Sequence, residues 1–315
     1  MFVRPARSLL TQAIFLLLAP HRARAQDGVA QPAQAAADQA AASQPAAGPS
    51  EAPGHVPSYV MEPSFQTTVM PLFEDQPIGA YAQPRWTATR RFPTTRVYVI
   101  PKGTMTLEYW LETKADLGGK NATRHRSSYE AEMGLGHRLQ LDLYLSTEQL
   151  GKAGALDLLE EKVELRYAFA NWGVIPGNPT LYLEWVRANA GSPRAEGKLL
   201  FGGEIASGWH WGANLVYERE VTGADQEGEY AVTGAVAGSV IDYKLSLGAE
   251  VQLEATDKTG DRFSFEDQEI LAGPSLQWRP VPPMHVDLVA LFGAEHGSGE
   301  TTPLAEPTIV VGWEL

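Results

Sequence analysis

The chain has 315 residues, with 25 Lys+Arg against 38 Asp+Glu, a formal charge of −13, and no cysteine. That balance repels phosphate backbones, so nucleic acid is not an expected partner. Without thiols the fold cannot rest on disulfides, and neither a thiolate metal site nor a lipid-modified cysteine is available.

The first 25 residues have a basic start (Arg4, Arg7), an apolar stretch from Leu9 to Ala19 broken at Thr11 and Gln12, and a small-residue exit at Ala23-Arg24-Ala25. This order predicts a secretory signal peptide over 1–25, cleaved before Gln26. The apolar stretch is too short for a spanning helix, which needs about 20 apolar residues. Loss of its four arginines and no acid takes the formal charge from −13 to −17. Residues 26–56 are Ala, Pro, Gln and Ser with no aromatic, a composition that cannot build a core and predicts a disordered tether. Residues 57–102 regain aromatics without periodicity and group Arg85, Arg90, Arg91 and Arg96. They are expected either to stay an exposed periplasmic arm or to fold into an acidic mouth as a plug.

From Gly103 the texture is constant. Met105, Leu107, Tyr109 and Leu111 alternate with Thr106, Glu108, Trp110 and Glu112; Leu139, Leu141, Leu143 and Leu145 alternate with Gln140, Asp142, Tyr144 and Ser146. Period-two patterning sustained over such lengths predicts half-buried strands. Twelve of them are expected, near 103–115, 126–136, 139–149, 159–170, 180–189, 197–206, 209–221, 228–238, 242–255, 267–279, 284–295 and 306–315. Short turns (HR, SGW, VID, RPVPP) alternate with longer polar loops such as GGKNATRH, TDKTGDRFSFED and HGSGETTPLAE, with ANWGVIPGNP as an exception. Such asymmetry is expected of an outer-membrane barrel.

Alternation alone fits a soluble sandwich as well as a barrel. Three features favour the membrane. Phe169, Trp209, Trp211, Tyr243, Trp278 and Trp313 fall near the turn side, and Tyr129, Trp185, Tyr217 and Tyr230 near the loop side, as two interfacial girdles would. The strands are long and even in number. The chain ends in mid-strand, with Ile309, Val311, Trp313 and Leu315 on one face. That end resembles the sorting signal of bacterial outer-membrane proteins, except that Leu315 stands where an aromatic is usual. The expected fold is all-β, a 12-stranded antiparallel up-and-down transmembrane β-barrel over 103–315 with a disordered N-terminal extension. Outer-membrane lipid and the barrel assembly machinery are its expected partners.

The runs VIPKGTMTLEYWLETK and YEAEMGLGHRLQLDLYLS resemble the opening hairpins of a family of Gram-negative barrels described as transporter-like, or phenol-degradation MetA-like. The resemblance covers about a fifth of the chain. It implies an outer-membrane barrel that passes small molecules, and it transfers no catalytic residue.

With the leucine faces toward lipid, the lumen receives Glu108, Glu112, Glu130, Glu132, Asp142, Glu164, Arg166, Glu184, Glu204, Glu218, Glu250 and Asp287. Acidic rings attract cations, so a cation-favouring or polar-solute pore is expected of this face, and the function expected of the whole is a pore or transporter for small polar or aromatic solutes with an acidic lumen. The alternatives are a narrow barrel closed by satisfied ion pairs, a non-conducting anchor, or a soluble periplasmic binding module. No enzyme activity, metal or cofactor is expected. His210 and His285 lack metal-ligand spacing, Ser207 and Ser246 lie in no nucleophile motif, and no phosphate loop is present.

Overall fold

The computed structural model describes residues 71–315 except 225 and 266. The segments read as signal peptide (1–25) and tether (26–56), and the first part of the arm (57–70), lie outside the described residues.

A two-residue ladder joins β1 (Pro77–Ile78) to β2 (Gln83–Pro84), followed by a short 3-10 turn at Arg85–Ala88. Twelve long strands follow: β3 (Met105–Asp116), β4 (Arg124–Gly136), β5 (Leu139–Leu150), β6 (Leu156–Ala168), β7 (Thr180–Ala188) and β8 (Arg194–Ala206), then β9 (Trp209–Glu220), β10 (Glu227–Ile241), β11 (Leu245–Lys258), β12 (Asp267–Trp278), β13 (Met284–Gly297) and β14 (Glu300–Glu314). Each pairs antiparallel with its sequence neighbour, and β14 returns to β3 with Ile309 opposite Leu111 and Val310 opposite Trp110. The closed ring leaves no edge, the condition for crossing lipid with strands.

Side-chain placement is inverted relative to a soluble domain. On β6, Val163 and Leu165 are each 40% exposed, while Glu164 is fully buried and Arg166 nearly so. Leu183, Leu215, Val232, Leu247, Ile270 and Ile309 continue the exposed aliphatic band. Trp209, Trp278 and Trp313 flank it at the short-turn end, and Tyr129, Trp185 and Tyr217 at the long-loop end. An apolar belt between aromatic girdles is the surface of a transmembrane barrel.

Several boundaries move. The last strand, expected from 306, begins at Glu300, and the expected loop shrinks to Ser298 and Gly299, both at positive φ (52° and 78°). Polar residues extend this hairpin because ladder hydrogen bonds need only backbone; Glu295 pairs Thr302 and Gly297 pairs Glu300. Pro307 lacks an N–H, and the β14–β3 register is interrupted between Ala305 and Thr308. Tyr243, expected in the turn-side girdle, instead packs on the Phe73 ring at 5.1 Å with the Arg279 guanidinium 4.3 Å from its own ring. Its positive φ of 59° turns it toward the mouth.

Candidate functional site

Residues 71–104 enter the barrel at the short-turn end, rise into the lumen and return to β3. The entry is held by two turns. Asp242, between β10 and β11, accepts from the backbone N–H groups of Phe73 (2.7 Å) and Glu74 (3.1 Å). Asp75 accepts from Gly208 N–H (2.9 Å) and the Ser207 hydroxyl (3.0 Å), between β8 and β9. The return is held by Gln140, whose side chain accepts from Ile100 N–H at 2.7 Å, and by the Tyr98 hydroxyl donating to Ala170 O at 2.6 Å. The long ANWGVIPGNP connection, anomalous as a turn, joins here: Trp172 N–H donates to Tyr81 O at 3.0 Å, and its ring packs edge-on against Trp86 and Tyr98.

Between these anchors the segment has an apolar side and a cationic side. Tyr81, Trp86, Phe92, Val97, Tyr98 and Val99 form one buried cluster against Ala168 and Ala237 of the wall. The wall makes room with glycine at lumen-facing positions. A Cβ at Gly202 would overlap the Val97 side chain, and one at Gly212 would press on Thr95 and Val97 at 3.0 Å and Phe92 at 3.3 Å. A cavity of 30 Å³ remains between segment and wall, room for little more than a water molecule.

The cationic side meets the acids of β3 to β6. Arg90 pairs with Glu108 (2.9 Å), Glu130 (3.1 Å) and Glu132 (3.4 Å). Arg96 pairs with Glu130 (2.7 Å) and Glu132 (3.1 Å), and donates to the Tyr144 hydroxyl at 3.0 Å. From the wall, Arg166 pairs with Asp142 (2.7 Å) and with Glu164. Trp110 donates to Glu130 at 2.9 Å and lies 4.0 Å beneath the Arg90 guanidinium. Each arginine fork thus finds carboxylate oxygens in a buried layer where an unpaired charge would be costly. On the opposite wall Glu250 accepts from Thr94 N–H (2.9 Å) and hydroxyl (2.5 Å), and Asn214 exchanges hydrogen bonds with the Arg96 backbone at 2.9 and 2.6 Å.

Beyond the Pro93–Thr94 apex the lumen opens into cavities of 270, 550 and 310 Å³ that share Arg126 and Glu229 as lining. The two sides of this vestibule differ. On β4 to β9 the bases are matched: Arg126 with Glu160 (3.9 Å), Lys162 with Glu160 and Glu184 (3.3 Å each), Arg194 with Glu160 and Glu218 (2.6 Å each), and Lys198 with Glu196 (2.9 Å). On β10 to β14 and β3, Lys114 serves Glu269, Glu295 and Glu306 together. Glu112, Glu229 and Glu254 line the same space, and none of them has an ion pair among the described residues.

The expected lumen residues therefore fall into two levels. Glu108, Glu130, Glu132, Asp142, Glu164, Arg166, Glu250 and Asp287 are buried around the segment, and Glu112, Glu184 and Glu218 line the vestibule. Glu204 belongs to neither: it is exposed at the turn end, 3.4 Å from Trp86 Nε1. The arginine group also divides. Arg90 and Arg96 reach the wall, Arg91 pairs with Glu74 at 2.7 Å, and Arg85 stays at the mouth 4.0 Å over Phe73. Ile309, Val311 and Trp313 face outward, paired through β14 with β3; Leu315 follows the strand, and its N–H donates to Met105 O at 2.8 Å. The histidines lie apart: His285 is bound to Asp287 at 2.6 Å and His210 to Asp75 at 2.9 Å. Sequence reasoning set Trp110 and Tyr144 on the inward face without giving them a role, and it missed Asn214 and the seating glycines. The alternation places all of them on the lumen face, and glycine inside a strand was the available signal.

No family model matches the chain, and no curated protein does. Among solved structures, an outer-membrane channel from Pseudomonas putida F1 is similar with a TM-score of 0.52 and 8% identity, over 70% of this chain and 98% of that one. The fold is that of a closed 12-stranded outer-membrane β-barrel. The NanC porin is similar at a TM-score of 0.49 and 11% identity, over 66% of this chain and all of that one.

Proposed function

We propose that the protein is an outer-membrane pore for small polar solutes, with a preference for cations, and that residues 71–100 are its plug. The observation that carries this reading is the contrast across the vestibule: a charge-matched wall faces Glu112, Glu229 and Glu254, which lack basic partners among the described residues. Unmatched carboxylates beside a water-filled passage raise the local cation concentration. Trp110, Tyr144 and Tyr182 at the vestibule floor suit solutes with an aromatic or apolar part, in keeping with the resemblance to transporter-like barrels. In this reading residues 1–25 direct export, the short turns and the plug face the periplasm, and the outward row Ile309, Val311, Trp313 and Leu315 serves insertion by the barrel assembly machinery. The dense packing of the plug favours a second reading, a barrel that never conducts and serves as an anchor.

Reversal potentials across a KCl gradient, recorded with plug-displaced protein in a planar bilayer, test the preference. Cation selectivity that falls on Glu229→Gln and Glu254→Gln supports it; anion selectivity contradicts it.

A further inference from the structure

We propose that Glu74 and His210 hold a divalent transition-metal ion of the zinc class at the short-turn mouth, tying the entering segment to β9. This inference does not depend on the pore reading. The His210 ring is fully buried and stacked on Trp86 at 4.3 Å. Its Nε2 lies 2.9 Å from Asp75 Oδ1, and the other oxygen of Asp75 already accepts from Ser207 and Gly208. Asp75 is thus an acceptor throughout, which assigns a proton to Nε2, and in the neutral ring Nδ1 is then a bare lone pair. Nδ1 has no hydrogen-bond partner and faces Glu74 Oε1 at 3.8 Å. Glu74 is an acceptor too, taking Arg91 Nη2 at 2.7 Å on Oε2 and the Ser239 hydroxyl on Oε1.

Two buried acceptors therefore face each other across a gap too long for a hydrogen bond. A cation resolves it. Zinc–nitrogen and zinc–oxygen bonds of about 2.0–2.2 Å each span such a gap with a bent N–metal–O angle. Asp75 then takes the place of the carboxylate that orients a metal-binding histidine through its far nitrogen. A nitrogen and oxygen set of this kind prefers zinc and its neighbours to magnesium or calcium. The carboxylate groups deeper in the lumen contain no imidazole nitrogen, and more than one arginine serves them: Arg90, Arg96 and Arg166. At His285 the gap is shorter: Nδ1 is bound to Asp287 at 2.6 Å, and Nε2 lies at an ion-pair distance of 3.4 Å from Glu108 without a hydrogen bond.

The test is calorimetric titration of ZnCl2 into the full-length protein in detergent micelles after EDTA treatment. One site is expected. Glu74→Gln should weaken it at least about tenfold and Asp75→Asn by about 10–100-fold, while the exposed His137→Ala leaves it unchanged. Heat-modifiable gel migration checks that each variant is folded. Should Glu74→Gln fail to fold, Cu2+ electron paramagnetic resonance on the unaltered protein reads the same site, with coupling to one imidazole nitrogen expected. Absence of zinc binding, equal affinity in folded Glu74→Gln, or no nitrogen coupling would overturn the proposal.

Discussion

The two halves of the lumen face the same strands and obey the same alternation, yet they resolve their buried polarity in opposite ways. Toward the short turns, carboxylates of β3 to β6 are neutralised by arginines, two of which arrive on residues 71–100, and the remaining space is filled by Trp86, Phe92, Val97 and Tyr98. Toward the long loops, space is left open, one wall matches its own charges, and the other keeps Glu112, Glu229 and Glu254 unmatched. Close packing demands shape as well as charge, which is why Gly202 and Gly212 stand where the segment presses on the wall. The open vestibule demands neither.

The contrast breaks most completely if the seat is removed. Gly202→Leu with Gly212→Leu should expel the segment and leave the barrel closed, so that trypsin cuts at Arg90, Arg91 and Arg96, which are protected in the unaltered protein. Next in size is Arg90→Ala, which removes the arginine paired with Glu108 at 2.9 Å in a buried layer and leaves Glu130 to Arg96 alone. A loss of about 3–5 kcal/mol is expected for breaking a buried pair from one side, read from the urea midpoint for loss of that protection. An exposed pair sharpens the comparison: Arg187→Ala, which removes a 3.1 Å contact with Glu161 on the outer surface, should change stability by less than about 1 kcal/mol. Glu229→Gln and Glu254→Gln should have the smallest structural effect, leaving stability intact and lowering only cation selectivity.

Much of the barrel was legible because its driving pattern is local. On β6, for example, Val163, Leu165 and Tyr167 alternate with Glu164 and Arg166, and the inward set follows from parity. The end of the last hairpin was not legible, since Glu300 to Ala305 look like loop and become strand only by pairing with β13 and, in part, β3. The site was half legible. Composition put arginines near an acidic mouth, but which of them reach the wall depends on where a non-periodic segment turns: Arg90 and Arg96 reach it, while Arg85 and Arg91 do not. The Glu74 and His210 pair is invisible to any spacing rule, because its members are 136 residues apart in the numbering and meet only when the segment enters the barrel.

Single-channel recording in a planar bilayer, comparing the unaltered protein with a variant lacking residues 71–100, tests the central claim most directly. The account predicts a closed or rarely opening trace for the first and a steady, cation-favouring conductance for the second. Equal conductance in the two, with both proteins heat-modifiable, would contradict it.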